Sequence, residues 1–140
     1  MITADEFNRR GIGKLPGLLG VHITTVADRE LRSQLVVQPQ LMAPNGYLHA
    51  GSIVTLADTS CGYGCVAHLP PGASGFTTLE LKSNHLATTR DGTLDCVATA
   101  VHLGRTTQVW DAVVTHRESG RTLALFRCTE LILYPPTAGS

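Results

Sequence analysis

One run constrains the fold more than any other: HAGSIVTLADTSCGYGCVAHL, His49 to Leu69, which reads as a single long helix closed by Pro70-Pro71-Gly72. Ala50, Ile53, Val54, Leu56, Ala57, Cys61, Val66 and Ala67 spread around its circumference instead of keeping to one stripe. A helix apolar on most sides is buried on most sides, so the rest of the chain must wrap it. Gly62 and Gly64 lie within this helix, and each costs about 1 kcal/mol relative to alanine there. Close approach of a neighbouring backbone is the compensation expected.

The flanking segments read as strands. VHITTVA (21–27) and ELRSQLVVQP (30–39) surround Asp28-Arg29, a tight turn, and Pro39 ends the second run. After the helix come GFTTLELKSNHLA, TLDCVATAVHL, TTQVWDAVVTHRE and RTLALFRCTELILY, separated by Asp91-Gly92, Gly104-Arg105 and Ser119-Gly120. Long strands joined by two-residue turns predict antiparallel meander pairing. Residues 4–15 are expected to start a short helix that Pro16 and Gly17 break. Two strands, one helix and four strands predict an α+β fold, with a curled six-stranded antiparallel sheet around the central helix. The length of 140 residues suits one domain, its core about 18–134, followed by a flexible Pro/Gly/Ser tail.

Charge and cysteine usage narrow the function. Lys+Arg and Asp+Glu balance at 11 each, which gives no sign of a nucleic-acid surface or a polybasic membrane anchor. No segment approaches the roughly 18 unbroken apolar residues of a membrane span. The opening MITADEFNRRG has acids and no apolar core, unlike a signal peptide. Cys61 and Cys65 lie one helical turn apart, and Cys96 and Cys128 sit in strand-like runs, so free buried thiols in a reducing cytoplasm are expected. Neither the Cys-x3-Cys pair nor the six scattered histidines have metal-ligand spacing.

Asp58 is the lone acid of the helix. Burying a carboxylate without partners is expensive. Either Thr55, Thr59 or Ser60 satisfies it as a structural acid, or it serves as nucleophile or general base in a site shielded from water. His49 lies nine residues earlier, at the helix start, where the amides of Ala50 and Gly51 would face a bound oxyanion or carbonyl. Such donors form the oxyanion hole of acyl transfer. Nine helical residues span about 13 Å, so one chain cannot bring its helix start and its Asp58 to the same carbonyl. Two antiparallel helices across a two-fold axis can, which makes a homodimer a requirement of the chemistry.

At these residues the chain resembles the hotdog-fold acyl-CoA thioesterases, in the phenylacetate-degradation and 4-hydroxybenzoyl-CoA thioesterase branch. The quoted pattern is Gly46-Tyr47-Leu48-His49-Ala50-Gly51 followed by Leu56-Ala57-Asp58-Thr59, with the strand order and Gly104-Arg105 also in keeping. The resemblance implies hydrolysis of an acyl-CoA, with an aromatic acyl group among those that would suit it, to a carboxylic acid and free coenzyme A with no cofactor. It implies Asp58 as catalytic carboxylate, the Ala50 amide as oxyanion donor and His49 as an orienting group. It also implies Thr77 as a water-placing residue, and a homotetramer built from two dimers. Ala43 stands where the family often has an amide side chain, and Asn45 is the nearest substitute. Gly62 and Thr59 are expected to line the acyl pocket; Lys82, Asn84, Arg90, Arg105 and Arg127 are polar groups available to the coenzyme. A hotdog-fold hydratase or dehydratase, and a non-catalytic acyl-CoA-binding module, are the competing readings.

Overall fold

Asp28 and Arg29 turn the chain between β1 (His22–Ala27) and β2 (Glu30–Val36), with Arg29 at φ 60° in the left-handed region. The computed structural model describes residues 1–136, so the expected tail lies from position 137 onward outside the described residues. Before this hairpin stand α1 (Ala4–Gly11) and α2 (Leu15–Leu19). After it come α3 (Ala50–Ala67), β3 (Gly75–His85), β4 (Thr93–Leu103), β5 (Thr107–His116) and β6 (Thr122–Leu133). Pro16, expected to break a helix, instead stands in the first turn of α2. Proline is preorganised there and its missing N–H is not needed. The break falls earlier, at Ile12–Lys14.

All six strands form one antiparallel sheet in the order β1-β2-β4-β5-β6-β3. The meander expectation holds for β4-β5-β6 and fails for β3, which lies against β6 and not against β4. The flank of β4 is already occupied by β2, with Leu31 opposite Ala98 and Leu35 opposite Leu94. Residues 86–92 therefore carry the chain back across the sheet before Gly92, at φ 90°, enters β4.

Alternation puts Cys96, Ala98, Ala112 and Cys128 on the inner face, each at most 1% exposed. These small side chains leave room for α3, whose Ile53, Leu56, Ala57, Cys61 and Cys65 fill the remaining core. Burying each aliphatic side chain of this size is worth about 1.5–3 kcal/mol. Ser33 of β2 and Ser60 of α3 share a buried hydroxyl contact of 2.6 Å, and Ser60 also bonds the Leu56 carbonyl.

The two helix glycines are explained by aromatic rings, not by the neighbouring backbone that the sequence led us to expect. A Cβ on Gly62 would stand 2.9 Å from Phe76 Cζ, and one on Gly64 would stand 2.7 Å from Trp110 Cζ3. Trp110 is pinned in turn: its Nε1 donates to Gln108 Oε1 at 2.8 Å, and Gln108 Nε2 donates to the His68 carbonyl at 2.9 Å.

The two edges of the sheet differ. At β1, the Asn8 side chain accepts from the Ile23 amide and donates to its carbonyl, at 2.8 and 2.9 Å. A side-chain amide so placed blocks further strand pairing. The outer edge of β3 is uncovered among the described residues, and an open edge is a template for another strand.

Candidate active site

His49 is the N-cap of α3. Its Nδ1 accepts the Gly51 amide at 2.7 Å, so that amide is already spent on the imidazole. A Cβ on Gly51 would stand 2.9 Å from this nitrogen, which explains the glycine. Accepting at Nδ1 places the proton of the neutral ring on Nε2, leaving Nε2–H free to donate. Among the described residues the Ala50 N–H has no hydrogen-bond partner. The helix start therefore offers one backbone donor from Ala50 and one imidazole donor, with Gly51 corrected to a capping role.

Asp58 lies on α3 among Val54, Thr55 and Thr59, which are half-buried as it is. Burial raises its pKa above the ordinary aspartate value. Among the described residues no hydrogen bond or ion pair reaches its carboxylate. Two of the three hydroxyls that could have satisfied it are otherwise engaged: Thr55 bonds the Gly51 carbonyl at 2.9 Å, and Ser60 bonds Leu56 and Ser33. The structural-acid alternative thus finds no support in the geometry. Thr59 adjoins Asp58 and has no side-chain hydrogen bond among the described residues. The thiols make poor nucleophiles, since all four cysteines are buried and burial pushes Cys96 up to about 11 and Cys65 up to about 12.

Several other expected site residues are placed elsewhere. Asn45 Oδ1 accepts the Tyr47 amide at 3.1 Å and shapes the turn around Gly46, φ 86°. Thr77 pairs with Leu131 on the outer face, because opposite residues of paired strands share a face. The residue facing α3 is Thr78, which donates to buried Glu130 at 3.1 Å. Lys82 and Asn84 oppose Arg127 and Leu125, again on the outer face. There they line a shallow groove of about 230 Å³ with Asp111 and Val113. Arg127 in this groove is held by Asp111 through contacts of 2.5 and 2.8 Å.

Two of the expected arginines stand at opposite ends of α3. Arg90 lies 4.3 Å over the Tyr47 ring, and the Leu48 amide bonds the Thr89 carbonyl at 2.9 Å, so Arg90 stands beside the helix start. Arg105 occupies the β4–β5 turn, where its carbonyl accepts the Tyr134 hydroxyl. This turn lies toward the end of α3, since Gln108 reaches His68.

Phe76 and Glu130 were missed by the sequence reading. Phe76 pairs with Ile132 on the inner face and puts its ring tip against Gly62. Glu130 is 1% exposed, and burial raises its pKa. Alternation through RCTELIL places Glu130 inward with Cys128 and Ile132, a signal that was available. Among the described residues no cluster of three His, Cys, Asp or Glu could hold a metal, and no helix is long and apolar enough to cross a membrane.

The model of the thioesterase superfamily matches residues 45–124, the span from the helix-start loop to β6. The 1,4-dihydroxy-2-naphthoyl-CoA hydrolase of Listeria monocytogenes is 35% identical over 111 residues, covering 79% of this chain and 89% of its own. The enzyme of the same description from Escherichia coli is 31% identical over 135 residues, covering 94% and 96%. The crystal structure of a mutant thioesterase from Pseudomonas aeruginosa superposes with a TM-score of 0.89 at 28% identity, covering 95% of each chain. These matches leave one assignment: the chain belongs to the thioesterase superfamily, in its hotdog fold.

Proposed function

We propose that this thioesterase hydrolyses an acyl-CoA, with Asp58 of one subunit acting on a thioester whose carbonyl rests on the Ala50 amide and His49 of the other. The observation that carries this reading is the unpartnered, half-buried Asp58 carboxylate. A carboxylate with raised proton affinity suits general-base work. Asp58 takes a proton from water as the water attacks the carbonyl carbon. The oxyanion collects on the Ala50 N–H, the C–S bond then breaks, Asp58 passes its proton to the departing sulfur so that coenzyme A leaves as the thiol, and the carboxylic acid formed ionises in water. The substrate names of the two relatives favour an aromatic acyl group for this chain as well.

The open β3 edge, against the blocked β1 edge, supports pairing of two copies at β3. Antiparallel packing of the two α3 helices then brings each helix start beside the other's Asp58. It also projects the end of one α3, with Arg105, past the start of the other, where Arg90 stands. Two arginines from different subunits would receive the coenzyme phosphates as bidentate clamps. Dimers pair further into a tetramer, and the enzyme works in the cytoplasm without metal or redox cofactor.

The test is thiol release from a panel of aryl- and alkyl-CoA thioesters. Asp58→Asn is expected to lower kcat/KM about 100- to 10,000-fold, the usual contribution of a general base, in a protein that still folds. Full turnover by that variant would overturn the assignment. A single turnover in heavy-oxygen water is expected to label the product acid and leave Asp58 unlabelled; label in Asp58 would make it a nucleophile instead.

A further inference from the structure

Gly62 follows Asp58 by one helical turn, so both lie on the same side of α3. The space over this glycine is not empty. Phe76 enters it end-on: a Cβ at position 62 would stand 2.9 Å from the ring tip Cζ but 3.6 and 3.9 Å from Cε2 and Cε1. The ring is half-buried, and its strand partner Ile132 is 5% exposed, so it is backed by the core on the sheet side. On the helix side it rests on the one residue type without a side chain. An acyl group bound at Asp58 and lying along α3 toward its end would meet this ring after a single turn, about 5.4 Å.

We propose that Phe76 is the specificity-determining end wall of the acyl pocket, and that Gly62 is there to seat its ring. This rests on the thioesterase reading above. Gly62, expected from sequence to line the pocket as open space, then acts through the ring it admits. Phe76 touches the distal end of the acyl group and takes no part in bond-making.

The experiment measures kcat/KM over a series of straight-chain acyl-CoA substrates of increasing length. Wild type, Phe76→Leu, Phe76→Ala and the double variant Gly62→Ala/Phe76→Ala are compared, each with a thermal melt. Wild-type values should stop rising at a short chain. In Phe76→Ala the rise should continue, each further methylene that enters the freed space adding about fourfold, as expected from the transfer of one CH2 from water. Phe76→Leu, which preserves more of the packing, should give a smaller extension in the same direction. In the double variant the new methyl refills part of the space and should draw the limit back, an interaction between neighbouring sites that simple additivity excludes.

A purely structural ring would lower all substrates by one factor and leave the length profile where it was. That outcome in a folded Phe76→Leu or Phe76→Ala, with wild type active, overturns the end-wall role alone. Absence of thiol release from every substrate by wild type would instead bring down the thioesterase reading on which it rests. The mild Phe76→Leu variant keeps the question answerable where Phe76→Ala is too unstable to assay.

Discussion

Ionising Asp58 in a half-buried place without a partner works against the folded state, because water solvates the charge better in the unfolded chain. Its folded pKa lies above its unfolded one, so the group adds stability at pH below the unfolded value. That contribution is lost as pH rises through the folded value. At neutral pH Asp58→Asn is accordingly expected to melt at a higher temperature than wild type, with the difference closing in acid. Thermal melts across a pH series test the sign, and a variant that melts lower only at neutral pH would reveal a partner for the carboxylate. The rate should show the same ionisation, kcat/KM rising with pH through a midpoint above the ordinary aspartate range. The placement of His49, Ala50 and Asp58 along one helix was legible because helix geometry fixes their spacing. The use of the Gly51 amide was not, since it depends on which rotamer the His49 ring adopts. Nor was the face of Thr77: alternation separates two faces, and only pairing with β6 says which is inner. A register shift between Thr78 and Glu80 then reverses the phase partway along the strand, so Leu81 and not Glu80 shares the inner face with Cys128.

At the scale of elements, strand limits were legible in turn residues, whereas strand order was not. Asp91-Gly92, Gly104-Arg105 and Ser119-Gly120 mark strand ends from local backbone preference. The placement of β3 beside β6 depends instead on which flank of the sheet is vacant. The contact of α3 with β5 shows a similar division. Gly64 could be recognised as costly in a helix, but its partner lies 46 positions later, at Trp110. Gly64→Ala would improve local helix propensity by about 1 kcal/mol and yet press a methyl to within 2.7 and 2.8 Å of Trp110 Cζ3 and Cη2. The indole is fully buried and held by Gln108, itself tied to the end of α3, so it has little freedom to withdraw. Overpacking of this kind typically costs about 1–3 kcal/mol. We expect a net loss of stability, read as a lower urea midpoint with an unchanged slope. A gain would mean that the ring yields and that glycine serves some other purpose there.

At the scale of the whole molecule, the proposed site is divided between chains, and that division can be tested with two inactive variants. Asp58→Asn removes the acid alone. Ala50→Pro removes the backbone donor alone, at a position unusually tolerant of proline. Ala50 is the first residue of α3, and His49 before it already has φ −67° and ψ 134°, the extended backbone that a residue preceding proline prefers. The variant should fold and lose roughly 100- to 1,000-fold in rate, the effect of deleting one oxyanion donor. When the two variants are co-expressed in equal amounts, random pairing makes half of the dimers mixed. In each mixed dimer one site joins the intact acid of one chain to the intact amide of the other, while its second site lacks both. About a quarter of wild-type activity per subunit should therefore return, as two-fold symmetry requires. A site contained within one chain would regain nothing from mixing, since every chain would still lack one of its two groups. Recovery near a quarter, against none, thus decides whether the roughly 13 Å between helix start and acid is bridged by a second copy.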